Sequence, residues 1–82
     1  MKAFLFWFQY NEDDPASYVY IIAYTLKQAR YFWFNYLKYT IGHVSDYNLN
    51  PCDVIYEYDF LRNHKVGDIL GENAIIWAST QK

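Results

Sequence analysis

The side chains in this sequence best suited to covalent chemistry are one thiol and two imidazoles. Cys52 with His43 or His64 could form a cysteine–histidine pair, in which the imidazole takes the thiol proton and the thiolate attacks. One cysteine and two histidines meet this description by chance in many small chains. The sequence therefore predicts no catalytic residue, and an enzyme that acts through Cys52 remains a minor alternative.

The same side chains, with two aspartates, are the candidates for a metal site: His43, Asp46, Cys52, Asp53 and His64. Zinc-binding sequences place their ligands in close pairs such as C-x₂₋₄-C and H-x₃₋₅-H. No such pair occurs in this sequence, and a single cysteine offers one thiolate. We therefore predict neither a metal ion nor a cofactor.

Arg62, His64 and Lys65 form the one local basic cluster. Such a cluster could contact an anion or an acidic partner, although runs of this kind are more often solvated loops. The glycines in the segment 67–71 match neither a phosphate loop nor a dinucleotide fingerprint. We keep the cluster as a candidate contact for an acidic partner.

Aromatic side chains are the unusual feature of the composition. The 82 residues include 10 Tyr, 6 Phe and 3 Trp. A ring covers about 150–250 Å² when it is fully buried, and a chain of this size buries only about 60–65% of its unfolded surface. Some rings must therefore lie at the surface, which predicts a protein that works by contact and not by catalysis.

The N-terminal third of the chain is predicted to form a hairpin. Dense aromatic residues over 2–10 and alternation over 17–24 indicate two strands, and the turn at 11–16 contains Asp14-Pro15. A six-residue connection favours antiparallel pairing. In the second strand Val19, Ile21 and Ala23 form an aliphatic face, and the tyrosines are expected to lie on a half-exposed face.

A long helix follows directly. Thr25 and Gln28 form a capping box, and Gly42 is a typical stop signal, so the helix is predicted to run to about Ile41. Its apolar stripe contains Leu26, Ala29, Trp33, Tyr36, Leu37 and Thr40. With its flanks the apolar surface is roughly 200° wide, about twice what a surface helix needs. The helix is therefore either sandwiched or in contact with another molecule.

The C-terminal half is less strongly patterned. We predict a loop over 43–53, a third strand over 54–60, a connector over 61–72 with a short helical turn within 66–71, and a last strand over 73–79. The order ββαββ predicts one α+β domain over residues 1–82, with a four-stranded, mainly antiparallel sheet and the helix on one face. The opposite face is expected to stay open.

That open face and the helix flanks are the predicted partner-binding surface. Its members are Tyr18, Tyr20, Tyr24, Tyr56 and Tyr58 on the sheet, joined by Phe6 and Phe8, and Phe34 and Tyr31 on the helix. Three alternatives remain. The sheet face could be half-solvated without a partner, or the rings could be buried in the interface of a homodimer. The chain could also be a single-stranded nucleic-acid module that stacks bases on the rings. A net charge of −2 makes nucleic acid the less favoured partner.

Compartment and membrane signals are weak in this sequence. No stretch approaches 18 consecutive apolar residues, so no membrane span is expected. A single cysteine excludes an internal disulfide and is typical of a reducing compartment, which predicts the cytoplasm.

An aromatic first strand, a second strand ending in Ala23-Tyr24-Thr25, and an immediate capped helix with Gln28-Ala29 resemble small accessory proteins encoded by bacteriophages and mobile elements. Among these, anti-defence inhibitors, above all anti-CRISPR proteins, bind stoichiometrically to a host protein complex. The resemblance implies a binder that needs no cofactor and acts in the host cytoplasm.

Overall fold

The computed structural model describes residues 1–56 and 61–71. Their elements are β1 (Lys2–Gln9), β2 (Ser17–Ala23), α1 (Leu26–Tyr36) with a π-helical turn (Leu37–Ile41), β3 (Asp46–Tyr47), β4 (Asp53–Ile55) and β5 (Ile69–Leu70). The predicted α+β class is confirmed, because one helix packs on a mainly antiparallel, open sheet. Five strands, not four, belong to the described part of that sheet.

β1 is the central strand, as its apolar character on both faces predicts. On one side it pairs antiparallel with β2, in a register that runs from Lys2 opposite Ala23 to Phe8 opposite Ser17. On the other side it pairs first with β4 and then with β3. β5 continues the sheet beyond β2. The predicted hairpin is therefore confirmed.

The structure differs from several of the predictions made for the C-terminal half of the chain. The predicted loop 43–53 contains β3, and the third strand starts at Asp53, with 57–60 outside the described residues. The prediction of a helical turn within 66–71 is wrong, because this segment forms backbone hydrogen bonds with β2 instead. Gly67 N–H donates to Ile22 O and Ile22 N–H donates to Asp68 O. The predicted last strand, 73–79, lies outside the described residues.

The helix begins as its capping box predicts. Gln28 N–H donates to Thr25 Oγ1 at 3.1 Å, and Tyr24 N–H donates to Gln28 Oε1 at 2.8 Å. The chain turns out of the helix at Gly42, whose φ of 84° favours glycine, and whose N–H donates to Leu37 O at 2.8 Å.

The π-helical turn is a feature that the periodicity did not predict. A π turn closes with an i→i+5 hydrogen bond and so rotates less per residue than an α turn. Thr40, predicted on the apolar stripe, is consequently exposed, whereas Leu37 at the start of the turn stays buried.

The main core lies between the sheet and the helix. It joins every second residue of β1 and β2 to three helical residues: Phe4, Phe6, Phe8, Val19, Ile21, Ala23, Ala29, Trp33 and Leu37. The aliphatic face of β2 therefore meets the helix, as predicted. Phe6 and Phe8 also face the helix, so they are not members of the opposite face.

A second buried cluster lies on the face of the sheet opposite the helix. It consists of Ala3, Tyr20, Ile22, Ile55 and Leu61, with Leu5 and Leu70 packed against it. Both Ala3 and Ile22 are inaccessible to solvent. The expectation that this face stays open is therefore wrong at its centre.

Trp33 connects the helix to both the sheet and the loop that follows β3. The fully buried indole stacks on Phe6 with ring centroids 5.1 Å apart, and its Nε1–H donates to Asn48 O at 2.8 Å. Asn48 in turn accepts the Trp7 N–H through Oδ1 at 2.8 Å. One side chain thus fixes the helix on β1 and anchors the loop on the sheet edge.

Replacement of Trp33 by Phe keeps an aromatic ring but removes the indole N–H and part of the buried volume. We expect the free energy of unfolding to fall by about 1–3 kcal/mol, from a cavity and an unpaired Asn48 carbonyl. Urea denaturation measures this loss. Trp7→Phe is the matched control at a half-buried ring and should cost less; equal losses would contradict a special role for Trp33.

Candidate docking surface

The tyrosines predicted on the sheet do not form one continuous surface. Tyr18, Tyr24 and Tyr56 are exposed, and Tyr58 lies outside the described residues. Tyr18 is near the start of β2 and Tyr24 follows its end, about 20 Å away along the strand. Between them Tyr20 is only 4% exposed. The predicted sheet surface is therefore interrupted.

Tyr20 belongs to the core and not to a binding surface. It lies opposite Leu5 of β1 and Leu70 of β5 in the strand register, and it packs in the second buried cluster with Ile22 and Leu61. Its assignment as a partner-binding residue is corrected on this ground. Local alternation along β2 gave the correct face, but segments distant in sequence determine whether that face is covered.

The helix carries the two predicted rings that remain together at the surface. Tyr31 is 57% exposed and Phe34 is 45% exposed. They share the outer side of the helix with three cationic residues, and we call this set the helix surface: Lys27, Arg30, Tyr31, Phe34 and Lys38. Large rings beside cations form an amphipathic contact surface.

Charge is segregated along the chain. All nine acidic residues lie outside the helical segment 26–41, while three of the seven basic residues lie within it. Arg30 donates to neutral acceptors, Leu49 O at 3.1 Å and Asn50 Oδ1 at 2.6 Å. Lys38 Nζ lies over the Tyr39 ring, 5.2 Å from its centroid. Within the described part of the chain, neither cation pairs with a carboxylate, so the helix surface is positive on a chain of net charge −2.

An open groove adjoins the helix surface where the helix ends. Its volume is about 370 Å³, and it is lined by Phe34, Leu37, Lys38, Gly42, His43, Val44 and Tyr47. Phe34 and Tyr47 meet edge to face, with ring centroids 6.4 Å apart. The lining is mainly apolar, and its ionisable members other than Tyr47 are Lys38 and His43.

Aspartate side chains occupy one backbone N–H in each of the short strands β3 and β4, and the one in β3 lies beside the groove. Tyr47 N–H donates to Asp46 Oδ1 at 2.9 Å, and Val54 N–H donates to Asp53 Oδ1 at 2.8 Å. In each short strand an aspartate thus satisfies the N–H of the next residue. Charged side chains that occupy edge groups are a common device against unwanted strand pairing.

The predicted basic cluster contains a carboxylate of its own. Arg62 and Lys65 are exposed and His64 is half-buried. Asp68 Oδ2 accepts the Lys65 N–H at 3.0 Å and lies 3.6 Å from His64 Nδ1. This aspartate reduces the positive potential there, so the cluster is a weaker contact for an anion than its sequence suggests.

The Cys52 thiol, considered above for catalysis, contacts a backbone carbonyl and a side-chain amide. Cys52 Sγ is exposed, 3.6 Å from Leu5 O and 3.7 Å from Asn48 Nδ2, and neither group is a base. In the described residues, no group of three or more His, Cys, Asp or Glu side chains is placed to hold a metal ion.

Sequence reasoning found Tyr31 and Phe34 but missed their neighbours. The absence of acidic residues between 26 and 41 was a readable signal for Arg30 and Lys38. No comparable signal marked Tyr47, because it lies in a segment that was predicted to be a loop. Its position follows from pairing with β1.

Comparison with protein-family models, with curated proteins and with solved structures found no match. No helix in residues 1–56 and 61–71 is long and apolar enough to cross a membrane.

Tyr36 supplies a pH-dependent test of the packing beneath this surface. Its ring stacks on Trp33 at 6.2 Å, and burial, assisted by the nearby Tyr10 hydroxyl, raises the pKa of Tyr36 above the ordinary value of 10.0. The folded state therefore holds this proton more tightly than the unfolded state does. Its contribution to stability is complete below pH 10 and is lost as the pH rises through the folded-state pKa.

As the pH rises above 10, we expect the unfolding free energy of Tyr36→Phe to fall less than that of the wild type, because Phe has no proton to release. Urea denaturation across that range measures the difference. Tyr31→Phe, which removes the hydroxyl of an exposed ring on the same helix, is the matched control for loss of a hydroxyl at the surface. Identical slopes for all three proteins would contradict the burial effect at Tyr36.

Proposed function

We propose that this chain is a small non-catalytic inhibitor or adaptor that binds a protein partner through the helix surface. The observation that carries the proposal is the placement of exposed Tyr31 and Phe34 among three helical cations without an acidic residue between them. A few residues supply most of the binding energy at protein interfaces, and Trp, Tyr and Arg are enriched among them. A surface that combines them on one rigid helix is suited to docking.

The anchoring of the helix supports the same proposal. Trp33 fixes the helix on β1, and Arg30 ties it to the loop at Leu49 and Asn50. Side chains that are held in place before binding lose less entropy when a partner orders them. The groove beside Phe34 adds a concave apolar contact to an otherwise convex helix.

The finer proposal concerns the source and the partner. On the resemblance to small phage and mobile-element proteins, we propose a stoichiometric, anti-CRISPR-like inhibitor that docks on a host protein complex. In this proposal the host cytoplasm is the site of action, and no cofactor takes part. Exposed rings outside the helix, such as Tyr18, Tyr24 and Tyr56, are secondary contacts.

The test is affinity capture from bacterial lysate with matched double variants. Tyr31→Ala with Phe34→Ala removes the rings of the helix surface and should weaken capture of a saturable, stoichiometric protein partner by about tenfold or more. Tyr18→Ala with Tyr24→Ala removes two exposed rings from other parts of the surface and should retain most of the binding. Thermal melts verify that both variants are folded.

Equal capture by the two double variants would exclude the helix surface. A partner that proves to be a second copy of this chain, detected by light scattering, would replace the inhibitor with a homodimer.

A nucleic-acid module is the second candidate, favoured by lysines beside exposed rings. Lys2 Nζ lies 5.9 Å from the centroid of the Tyr56 ring, and Lys38 lies over Tyr39. Bases stack on such rings while lysines contact phosphates. Against this, a pI near 5.5 is far from the basic values of most nucleic-acid binders.

Titration with a dT₁₂ oligonucleotide at several salt concentrations separates the two candidates. For the proposed protein-binding role we expect no binding at low salt. Tight binding that weakens steeply as salt rises would favour the nucleic-acid module, because counterion release from phosphates produces that slope.

A further inference from the structure

We infer that the partner presents an acidic segment whose apolar side chain enters the groove between the end of the helix and β3, and that it docks through side chains without adding a strand. This inference rests on the proposed protein-binding function and names the chemistry of the partner. It is carried by three features of the described residues: the lining of the groove, the charge around it, and the state of the adjacent sheet edge.

The lining of the groove defines the side chain that fits. Phe34 and Tyr47 form one aromatic corner, with both rings more than 40% exposed although they touch each other edge to face. Leu37, which is buried, and Val44, which is half-buried, also line the groove. An aromatic or branched aliphatic side chain of the partner would cover the two rings and displace water from an apolar surface.

The charge around the groove determines which charged residues of the partner can lie next to its apolar side chain. Lys38 and His43 line the groove, and Arg30 lies one helical turn before Phe34. Arg30 and Lys38 have no carboxylate partner within residues 1–56 and 61–71. Asp46, which precedes Tyr47 in sequence, accepts the Tyr47 N–H but keeps its negative charge, so it offsets part of the positive potential of Arg30 and Lys38. Carboxylates of the partner would complement this field, whereas basic residues would be repelled.

The adjacent edge limits the backbone of the partner. An extended peptide that lengthened the sheet would need the Tyr47 N–H as a donor. That group donates to Asp46 Oδ1, and Val54 N–H is occupied by Asp53 in the same way. A helix or a loop, which satisfies its own backbone, can dock beside this edge without displacing either aspartate.

Selection from a displayed library of random 12-residue peptides tests the inference, with the full chain as bait. We expect the enriched peptides to combine an aromatic or large aliphatic residue with Asp or Glu. The best peptide is then synthesised with a matched version in which Asp and Glu become Asn and Gln. Fluorescence anisotropy should show weaker binding of the amide version, and a dependence on salt only for the acidic one.

Single-residue variants locate the site and the mode of binding. Phe34→Ala and Tyr47→Ala should each weaken binding by about tenfold or more. Lys38→Glu should weaken it and reduce the loss of affinity with salt, because repulsion by the new carboxylate opposes the attraction by Arg30.

Lys65→Glu is the matched charge reversal in the predicted basic cluster and should bind nearly like the wild type, because Asp68 already offsets the positive charge there; a loss equal to that of Lys38→Glu would place the acidic segment on the cluster instead. Asp46→Asn and Asp46→Ala remove the same negative charge and should bind the acidic peptide equally well, whereas strand addition would be tighter for Asp46→Ala, which alone releases the Tyr47 N–H.

Amide chemical shifts of the wild type, recorded with the best peptide, give a readout that requires no variant. Shifts confined to residues around 34–47 support the inference. Peptides that are basic or uncharged, or that shift residues around Tyr24 or Tyr56 instead, overturn it while the proposed protein binding stands. A selection without enrichment, combined with tight dT₁₂ binding, overturns both.

Discussion

The buried indole of Trp33 is the contact on which the arrangement of this small domain depends. It stacks on Phe6 of the central strand and on Tyr36 of its own helix, and its N–H donates to Asn48 O in the loop after β3. A single side chain thus meets the strand, the helix and the loop. A domain this small buries little apolar surface. A residue that holds three segments together therefore contributes more to stability than the burial of its own side chain alone.

The loop that Trp33 anchors determines where Tyr47 lies on the edge of the sheet. Five residues, 48–52, stand opposite only two on β1, so the strand that faces β1 is interrupted between β3 and β4. Asn48 bridges this interruption, since its Oδ1 accepts the Trp7 N–H and its Nδ2 donates to Asn50 O. Because the loop is held on the helix, Tyr47 lies beside Phe34 and the groove between them is formed.

The distribution of rings and charges follows from the same packing. The rings of Phe4, Phe6, Phe8, Trp33 and Tyr20 fill the two buried clusters. Within the described residues, the remaining exposed rings are spread over several parts of the surface. On the helix, Tyr31 and Phe34 lie beside Arg30 and Lys38, two cations without a carboxylate partner in residues 1–56 and 61–71.

Local signals in the sequence predicted the elements whose causes are local. The Thr25–Gln28 capping box, the glycine at 42 and the short connection of an antiparallel hairpin all act over a few residues, and all three features were confirmed, although the connection has seven residues, 10–16, and not six. The two-residue strands β3 and β5 are too short to show a period, so only the partner strand defines them. Tyr20 shows the same limit for the site, because Leu61 and Leu70 bury it from positions 40 to 50 residues away in sequence.

Hydrogen exchange of the indole N–H groups, followed by ¹⁵N NMR, tests the central role of Trp33 most directly. A fully buried donor that is bonded to Asn48 O should exchange only when the whole domain unfolds, as slowly as the amides in the middle of β1. We therefore predict that Trp33 Nε1–H exchanges at that global rate. An exchange rate close to that of the half-buried Trp7 indole would show that the loop opens independently of the core, and would contradict the central role of Trp33.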